Sequence, residues 1–486
     1  MTAVDRKGSL LLALAVTLVA CGTPPPVRTP AAPPASVVSP VAVEQELERT
    51  SSGRSFWPGF DPLVIPLALY DGQVTWLFRH PHPPPEFGPG QGGARIADGR
   101  PEALRANTGA EIGGVPTATL ILTSSHSARD WAAVAVHEAF HVFARQHHPG
   151  WSGDEMELFV YPLEAREPLI LRREETQALR RALAAGDPES AACWADAAVR
   201  LRGQRFAVLP KEAAAYERGT ELNEGLAAYV EGVARGETRM ELPADDFPVE
   251  KVRDRAYAVG RAEALLLDRL DPVWKERLGK EGQPGTLDEQ LAAATAGRAG
   301  SKPCALSSGE TAAASRRAGE DLERLTRERQ SARVAFLGRS GWTVVVLAEG
   351  APLWPQRFDP LNVLRLGEGE VLHRRWLKLG NGEAELEVLD RDALTEAVGP
   401  HPLLQGVRRL TVTGLVEKPE VHERAGWARL DAPGFTAKLK SATIEVSGHE
   451  LRIMLKGAPA SHSPAPQPPA AAAAPHREPK RPTSTG

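Results

Sequence analysis

The segment His137-Glu138-Ala139-Phe140-His141 sets two imidazoles four residues apart with a carboxylate between them. In a helix four residues turn the chain by about 400°, so both rings leave one face and can share a metal ion, while Glu138 stands about 100° round the axis. Two neutral imidazoles are metal ligands, and a carboxylate beside them that does not bind metal can carry protons. The chemistry implied is metal-assisted hydrolysis. A helix has to present these groups, and the flanking residues predict one. Ser127-Ala128-Arg129-Asp130 is an N-cap signature, Trp131, Val134, His137, Phe140 and Phe143 recur at helical spacing, and His148-Pro149-Gly150 ends the pattern.

Two later segments extend the pattern. Thr220-Glu221-Leu222-Asn223-Glu224-Gly225-Leu226-Ala227-Ala228-Tyr229 resembles the helix that bears the third zinc ligand in the gluzincins, often N-E-G-x-A-x-Y. Tyr257-Ala258-Val259-Gly260 resembles the Y-x-x-G helix of the aminopeptidase branch of that clan. The resemblance covers about residues 55 to 285. It implies a zincin-like peptidase with one Zn²⁺ held by His137, His141 and Glu224, Glu138 as general base, and Tyr257 as donor to the oxyanion. Such a ligand set leaves a tetrahedral zinc its fourth position for water. Glu221, one turn earlier, is the substitute for Glu224, and Tyr216 and Tyr229 compete with Tyr257.

The chain also departs from that pattern. His141 and Glu224 lie 83 positions apart, so a helical insertion must leave and return. The G-x-M-E-N motif that holds a substrate's free amine is missing, which argues against exopeptidase action. Position 228, where related enzymes place a carboxylate supporting a histidine, is alanine, so Glu221 or Glu231 has to take that role. His147 and His148 suit a helix C-terminus, and His80 and His82 a surface loop.

Composition narrows the setting. Among 486 residues, 58 Lys and Arg against 62 Asp and Glu are too balanced for a phosphate-seeking nucleic-acid binder. Three cysteines, Cys21, Cys193 and Cys304, exclude a disulfide scaffold and a cysteine-rich metal site, and leave open whether the last two pair. A basic start and the apolar run Leu10 to Ala20 predict an export signal too short to span a bilayer. Leu18-Val19-Ala20-Cys21-Gly22 resembles the bacterial lipobox, which implies a lipid anchor on Cys21 and a place in the cell envelope. Gly22, where some sorting rules require Asp, favours the outer membrane.

The fold expected is α+β: a mainly helical zincin-like domain with a small N-terminal β-sheet, then a β-rich domain. The boundaries read as a signal peptide over 1–20, a Pro-rich tether over 21–54, the metallopeptidase domain over 55–288, a connection and charged helix over 289–334, the β-rich domain over 335–457 and a disordered tail over 458–486. Leu63 to Tyr70 and Gln73 to Arg79 read as strands joined by a type I′ turn at Asp71-Gly72, with Pro66 marking an edge strand. Thr117 to Thr123 reads as a strand able to offer its edge to an extended peptide. The rival functions are a non-catalytic binding lipoprotein on a zinc-stabilised scaffold and a zinc amidase acting on a non-peptide amide.

Overall fold

Apolar side chains at Leu67, Leu69, Trp76, Phe78, Ala118 and Leu120 bury the first sheet, whose strands precede the histidine-bearing helix. The computed structural model describes residues 38–455, except 102–103, 105–106, 281, 283–284, 299–302, 349, 360–361, 398–400, 402–405, 425 and 441. The predicted signal peptide, Cys21 and the tail over 458–486 lie outside the described residues. Helix α1 (Pro40–Ser51) is followed by β1 (Leu67–Tyr70), β2 (Val74–Phe78), β3 (Gly88–Pro89), β4 (Arg95–Asp98), β5 (Thr108–Ile112), β6 (Val115–Ile121) and helix α2 (Ala128–His147). The six strands pair in the order β3-β4-β2-β1-β6-β5, with β1 and β6 parallel.

Four expectations for this region need correction. The tether does not reach residue 54: Pro40 at the first turn, with Val43 and Leu47 buried, makes 40–51 a helix packed on α2. Pro66 does not mark an edge. It precedes the first residue of β1, where no ladder N–H is lost, and β1 lies between β2 and β6. The β1–β2 connection is no two-residue type I′ turn, because only Gly72 has positive φ and the Asp71 Oδ1 accepts from the N–H groups of Gln73 and Val74. Strand β6 has partners on both sides, so the sheet edge beside it belongs to β5, joined to β6 through Gly113-Gly114, both at positive φ.

Beyond α2 come α3 (Arg166–Ala184), α4 (Pro188–Val208), α5 (Lys211–Thr220), a π-helical segment (Glu221–Gly225), α6 (Leu226–Arg235), α7 (Val252–Leu270), α8 (Trp274–Arg277), α9 (Leu287–Thr295) and α10 (Ser308–Leu337). The connection expected at the start of 289–334 thus holds most of α9 and the first turns of α10, since its alanines favour helix and Ser307 with Glu310 forms a capping box. Among the described residues no helix is long and apolar enough to cross a membrane.

Two compact units interleave along the chain. Of the described residues, one holds those up to Ser152 with Gly219–Glu241 and Tyr257–Ala294; the other holds Gly153–Arg218, Leu242–Ala256 and those from Thr295 onward. In the second unit α3 packs on α4 and α10. It buries an ionic cluster in which Arg202, Arg205 and Arg255 meet the carboxylates of Glu175 and Glu217.

The β-rich part of that unit contains β7 (Trp342–Leu347), β8 (Trp354–Phe358), β9 (Val363–Gly367), β10 (Glu370–His373), β11 (Trp376–Gly380), β12 (Ala384–Leu389), β13 (Ala393–Ala397), β14 (Val407–Leu415), β15 (Glu420–Arg424), β16 (Trp427–Ala432), β17 (Phe435–Lys440), β18 (Ala442–Ser447) and β19 (Glu450–Leu455). They form two sheets, β18-β19-β7-β14-β13-β10-β9 and β15-β16-β17-β12-β11-β8, which share a core including Val344, Leu379, Leu386, Val412, Leu439 and Ile453. Pairing is antiparallel save for β19 with β7.

Cys193 of α4 is bonded to Cys304 across 111 residues, which answers a point the sequence leaves open. In the chain-entropy account a loop of that length stabilises the fold by about 4 to 5 kcal/mol. Reducing the bond, or replacing both cysteines with serine, should therefore lower the denaturant midpoint of this unit by a readily measured amount. The thermal transition should fall with it, and an unchanged midpoint would contradict the account.

Candidate metal centre

Helix α2 starts with the capping box that its sequence announces. The Ser127 Oγ accepts from the Asp130 N–H at 3.2 Å, and the Asp130 carboxylate accepts from the Ser127 N–H. Its apolar face is fixed by aromatic edges: Trp57 meets Phe140 with ring centroids 5.6 Å apart, and Phe60 meets Phe140 at 5.3 Å and Phe143 at 5.4 Å. Each such pair contributes about 0.5–1.5 kcal/mol beyond area burial. Locking that face aims His137 and His141 together towards α6, with which α2 packs closely.

Their Nε2 atoms lie 3.1 Å apart, and the Glu224 Oε2 stands 3.1 Å from that of His141 and 3.7 Å from that of His137. His137, His141 and Glu224 thus form a cluster able to hold a metal ion, with one ligand atom from each and all three within 4.8 Å of one another. Glu221 does not belong to it. The two outer nitrogens are committed elsewhere. His137 Nδ1 lies 3.0 Å from the Glu231 carboxylate, and His141 Nδ1 lies 3.1 Å from the Asn223 Oδ1. Both partners are acceptors, so in the neutral rings both Nδ1 atoms carry the hydrogen and both Nε2 lone pairs face inward.

Glu231 is itself held. Arg235 donates to its other oxygen at 2.8 Å and to Asp130 at 2.7 Å, so a line of charge runs from the α2 cap through Arg235 and Glu231 to His137. Of the two supports that the sequence offers, Glu231 is the one against the histidine. Its place two helical turns after Glu224 returns it to the same face. Asn223 has a role that sequence reasoning passed over, although it stands inside the N-E-G motif.

Why Asn223 and Glu224 both reach one imidazole follows from the backbone. Neighbours in an α-helix diverge by about 100°. Glu221–Gly225 is a π-helical turn, a local widening frequently found at functional sites. Helix α7 closes against it at Gly260, where an added Cβ would lie 2.7 Å from the Glu221 carbonyl oxygen and 2.9 Å from the Gly225 Cα. That close approach explains the glycine of Y-x-x-G and sets Tyr257, one turn earlier, at the centre. The Tyr257 hydroxyl donates to the Glu224 carboxylate, and its ring is nearly parallel to that of His137, centroids 6.4 Å apart. Its competitors are elsewhere: Tyr229 donates to Asp268 at 2.6 Å, and Tyr216 packs with Tyr161 and Val252 in the other unit.

Burial alone would discharge His137, but hydrogen bonds to Glu224 and Glu231 outweigh it and push its pKa up to about 9. Burial raises the Glu224 carboxyl too, and the two histidines overturn that and bring it well below the carboxylate range. Glu138 is buried, and that burial, against the pull of both imidazoles, holds its carboxyl above the usual value.

The chain matches no protein-family profile, no curated relative and no solved structure.

Two results are expected. Glu231→Ala should weaken divalent-metal binding by about 10- to 100-fold in chelator competition, the usual effect of losing a carboxylate behind a ligating histidine. A metal must also displace the His137 proton, which is held up to about pH 9. Affinity should accordingly rise about tenfold per pH unit from neutrality and level off near pH 9; a flat titration over that range would contradict the assignment.

Proposed function

We propose that the chain is a zinc-dependent peptidase of the gluzincin kind, exported and anchored through Cys21 in a bacterial cell envelope. The observation that carries this reading is the convergence of His137 Nε2, His141 Nε2 and Glu224 Oε2 with Glu138 alongside. The donor set suits zinc: two imidazoles and a carboxylate are a common catalytic trio, while calcium and magnesium prefer oxygen alone. Tetrahedral ligands about 2.0–2.1 Å from an ion stand about 3.3 Å apart. The separations here are 3.1, 3.1 and 3.7 Å.

Zn²⁺ held there supplies a Lewis acid that polarises a carbonyl and brings the pKa of water towards 7. The rest of the chemistry falls to this chain's side chains. Glu138, whose buried carboxyl gains a proton more readily than usual, takes one from the attacking water and passes it to the leaving nitrogen. Tyr257 offers its hydroxyl to the oxygen on which negative charge develops. Glu231 and Asn223 hold the rings so that neither has to reorient during reaction. An extended peptide would add to the edge of β5, whose hairpin partner β6 leads into α2. Lack of a G-x-M-E-N segment favours internal cleavage over removal of N-terminal residues. The Cys193–Cys304 bond supports an oxidising compartment outside the cytosol.

Metal analysis of the purified chain, combined with digestion of a mixed peptide library, tests this. Wild type, Glu138→Gln and Tyr257→Phe should each retain one zinc. Glu138→Gln should lose about 10²- to 10⁴-fold in cleavage. Tyr257→Phe should lose about 10²- to 10³-fold in kcat with little change in KM. Zinc without cleavage in wild type would favour the binding-lipoprotein alternative, and turnover confined to non-peptide amides the amidase one. A chain that takes up no zinc would end the proposal.

A further inference from the structure

Arg145 follows His141 by one turn of α2 and His137 by two, so it continues the face that bears both imidazoles. Strand β5 packs against the helix there. A Cβ on Gly109 would lie 2.8 Å from the Val142 Cγ2 and would overlap the Arg145 guanidinium, so a glycine lets this side chain lie directly against the backbone of the sheet's edge strand. The guanidinium is exposed and has no hydrogen bond or ion pair among the described residues. Several other arginines of this unit are engaged, Arg235 with Glu231 and Asp130, Arg261 with Glu237 and Arg277 with Asp271. A planar cation with five donors, set between the metal ligands and an edge strand, is suited to grip a carboxylate in a bidentate fork.

We propose that Arg145 receives a carboxylate of the substrate, either an aspartate or glutamate side chain or a free C-terminus, about two residues from the bond that is cut. The spacing follows from two rises. One helical turn separates Arg145 from His141 by about 6 Å. A chain added to β5 advances about 3.3 Å per residue. The proposal rests on the peptidase reading and deepens it by naming the substrate class.

The test uses the full chain and matched peptides. Glu, Gln or Lys is scanned through three positions on each side of a cleaved bond, and each peptide is made as free acid and as C-terminal amide. Cleavage by wild type, Arg145→Ala and Arg145→Glu is compared, and binding to Glu138→Gln, with and without Arg145→Ala, is followed by fluorescence anisotropy. Wild type should prefer Glu over Gln, or acid over amide, by about 10- to 100-fold at one position. Arg145→Ala should erase the preference and Arg145→Glu should turn it towards Lys. A preference in the Glu scan identifies a side chain as the source, and one confined to the free acid identifies the C-terminus.

Equal cleavage of Glu and Gln peptides and of acid and amide, or a preference that survives Arg145→Ala, would overturn the proposal while leaving the peptidase reading intact. If no peptide is cut, that reading fails, and the anisotropy decides separately. Tighter binding of the acidic peptide that vanishes without Arg145 sustains the carboxylate site, and equal binding removes it.

Discussion

Three acceptor atoms brought together without a donor among them are a liability that only a cation can relieve. With both Nδ1 hydrogens committed to Glu231 and Asn223, the two Nε2 lone pairs and the Glu224 carboxylate point at a common place and can satisfy one another only by gaining a proton. The raised affinity of His137 for its proton is a symptom of this arrangement. Most of the local architecture can be read as what is needed to hold three such groups against their mutual preference to separate.

Each support is itself supported. Asp130 caps α2 and also accepts from Arg235, so the residue that starts the helix steadies the carboxylate behind the helix's first histidine. The same helix is gripped from its apolar side by Trp57 and Phe60. On the opposite wall the π-helical turn would be an unfavourable widening if it were exposed. Gly260 brings α7 onto it closely enough that the turn is packed, and Tyr257 arrives beside Glu224 as a consequence. Helix cap, aromatic edge, π turn and glycine contact thus act on the same few ångströms, and rigid elements position ligands better than loops do.

What could be read from the sequence, and what could not, divides by range. His137 and His141 were legible because helical spacing alone puts them on one face, and Glu224 and Tyr257 because short motifs carry them. The partner of His137 was harder. The familiar offset of four residues leads to Ala228, whereas the structure uses seven, and only the narrowing to Glu221 or Glu231 was within reach. The π turn has no signature in composition, so the use of Asn223 was invisible. Strands with clean alternation, such as β12, stood out, while the fully exposed β15 and the proline-bearing β8 did not. Val371 to Leu379 reads as one alternating segment but serves two sheets, β10 and β11, on either side of Arg374-Arg375. Burial of Arg202, Arg205 and Arg255 was hidden for a related reason. The three arginines lie within Arg/Glu-rich helical sequence, and nothing local tells a cation that meets water from one that meets Glu175 or Glu217.

The long gap between the second histidine and the glutamate, a departure when judged against related motifs, is physically mild. Closing a flexible loop costs free energy that grows only with the logarithm of its length, so extending a short link to 83 residues adds a few kcal/mol at most. The inserted helices offset that cost by having a core of their own. α3 packs on α4, the Glu175 and Glu217 carboxylates are neutralised in place, and Cys193 ties the insertion to Cys304, all within one compact unit. The chain leaves the unit that holds both histidines at Ser152 and rejoins it at Gly219, directly before the π turn. The returning segment is then registered by contacts within a dozen residues: Asn223, Glu224, Gly225 and Glu231. Precision at the centre therefore depends on this short stretch and on the helices it touches, and the length of chain that precedes it is nearly irrelevant to whether the three ligand atoms meet.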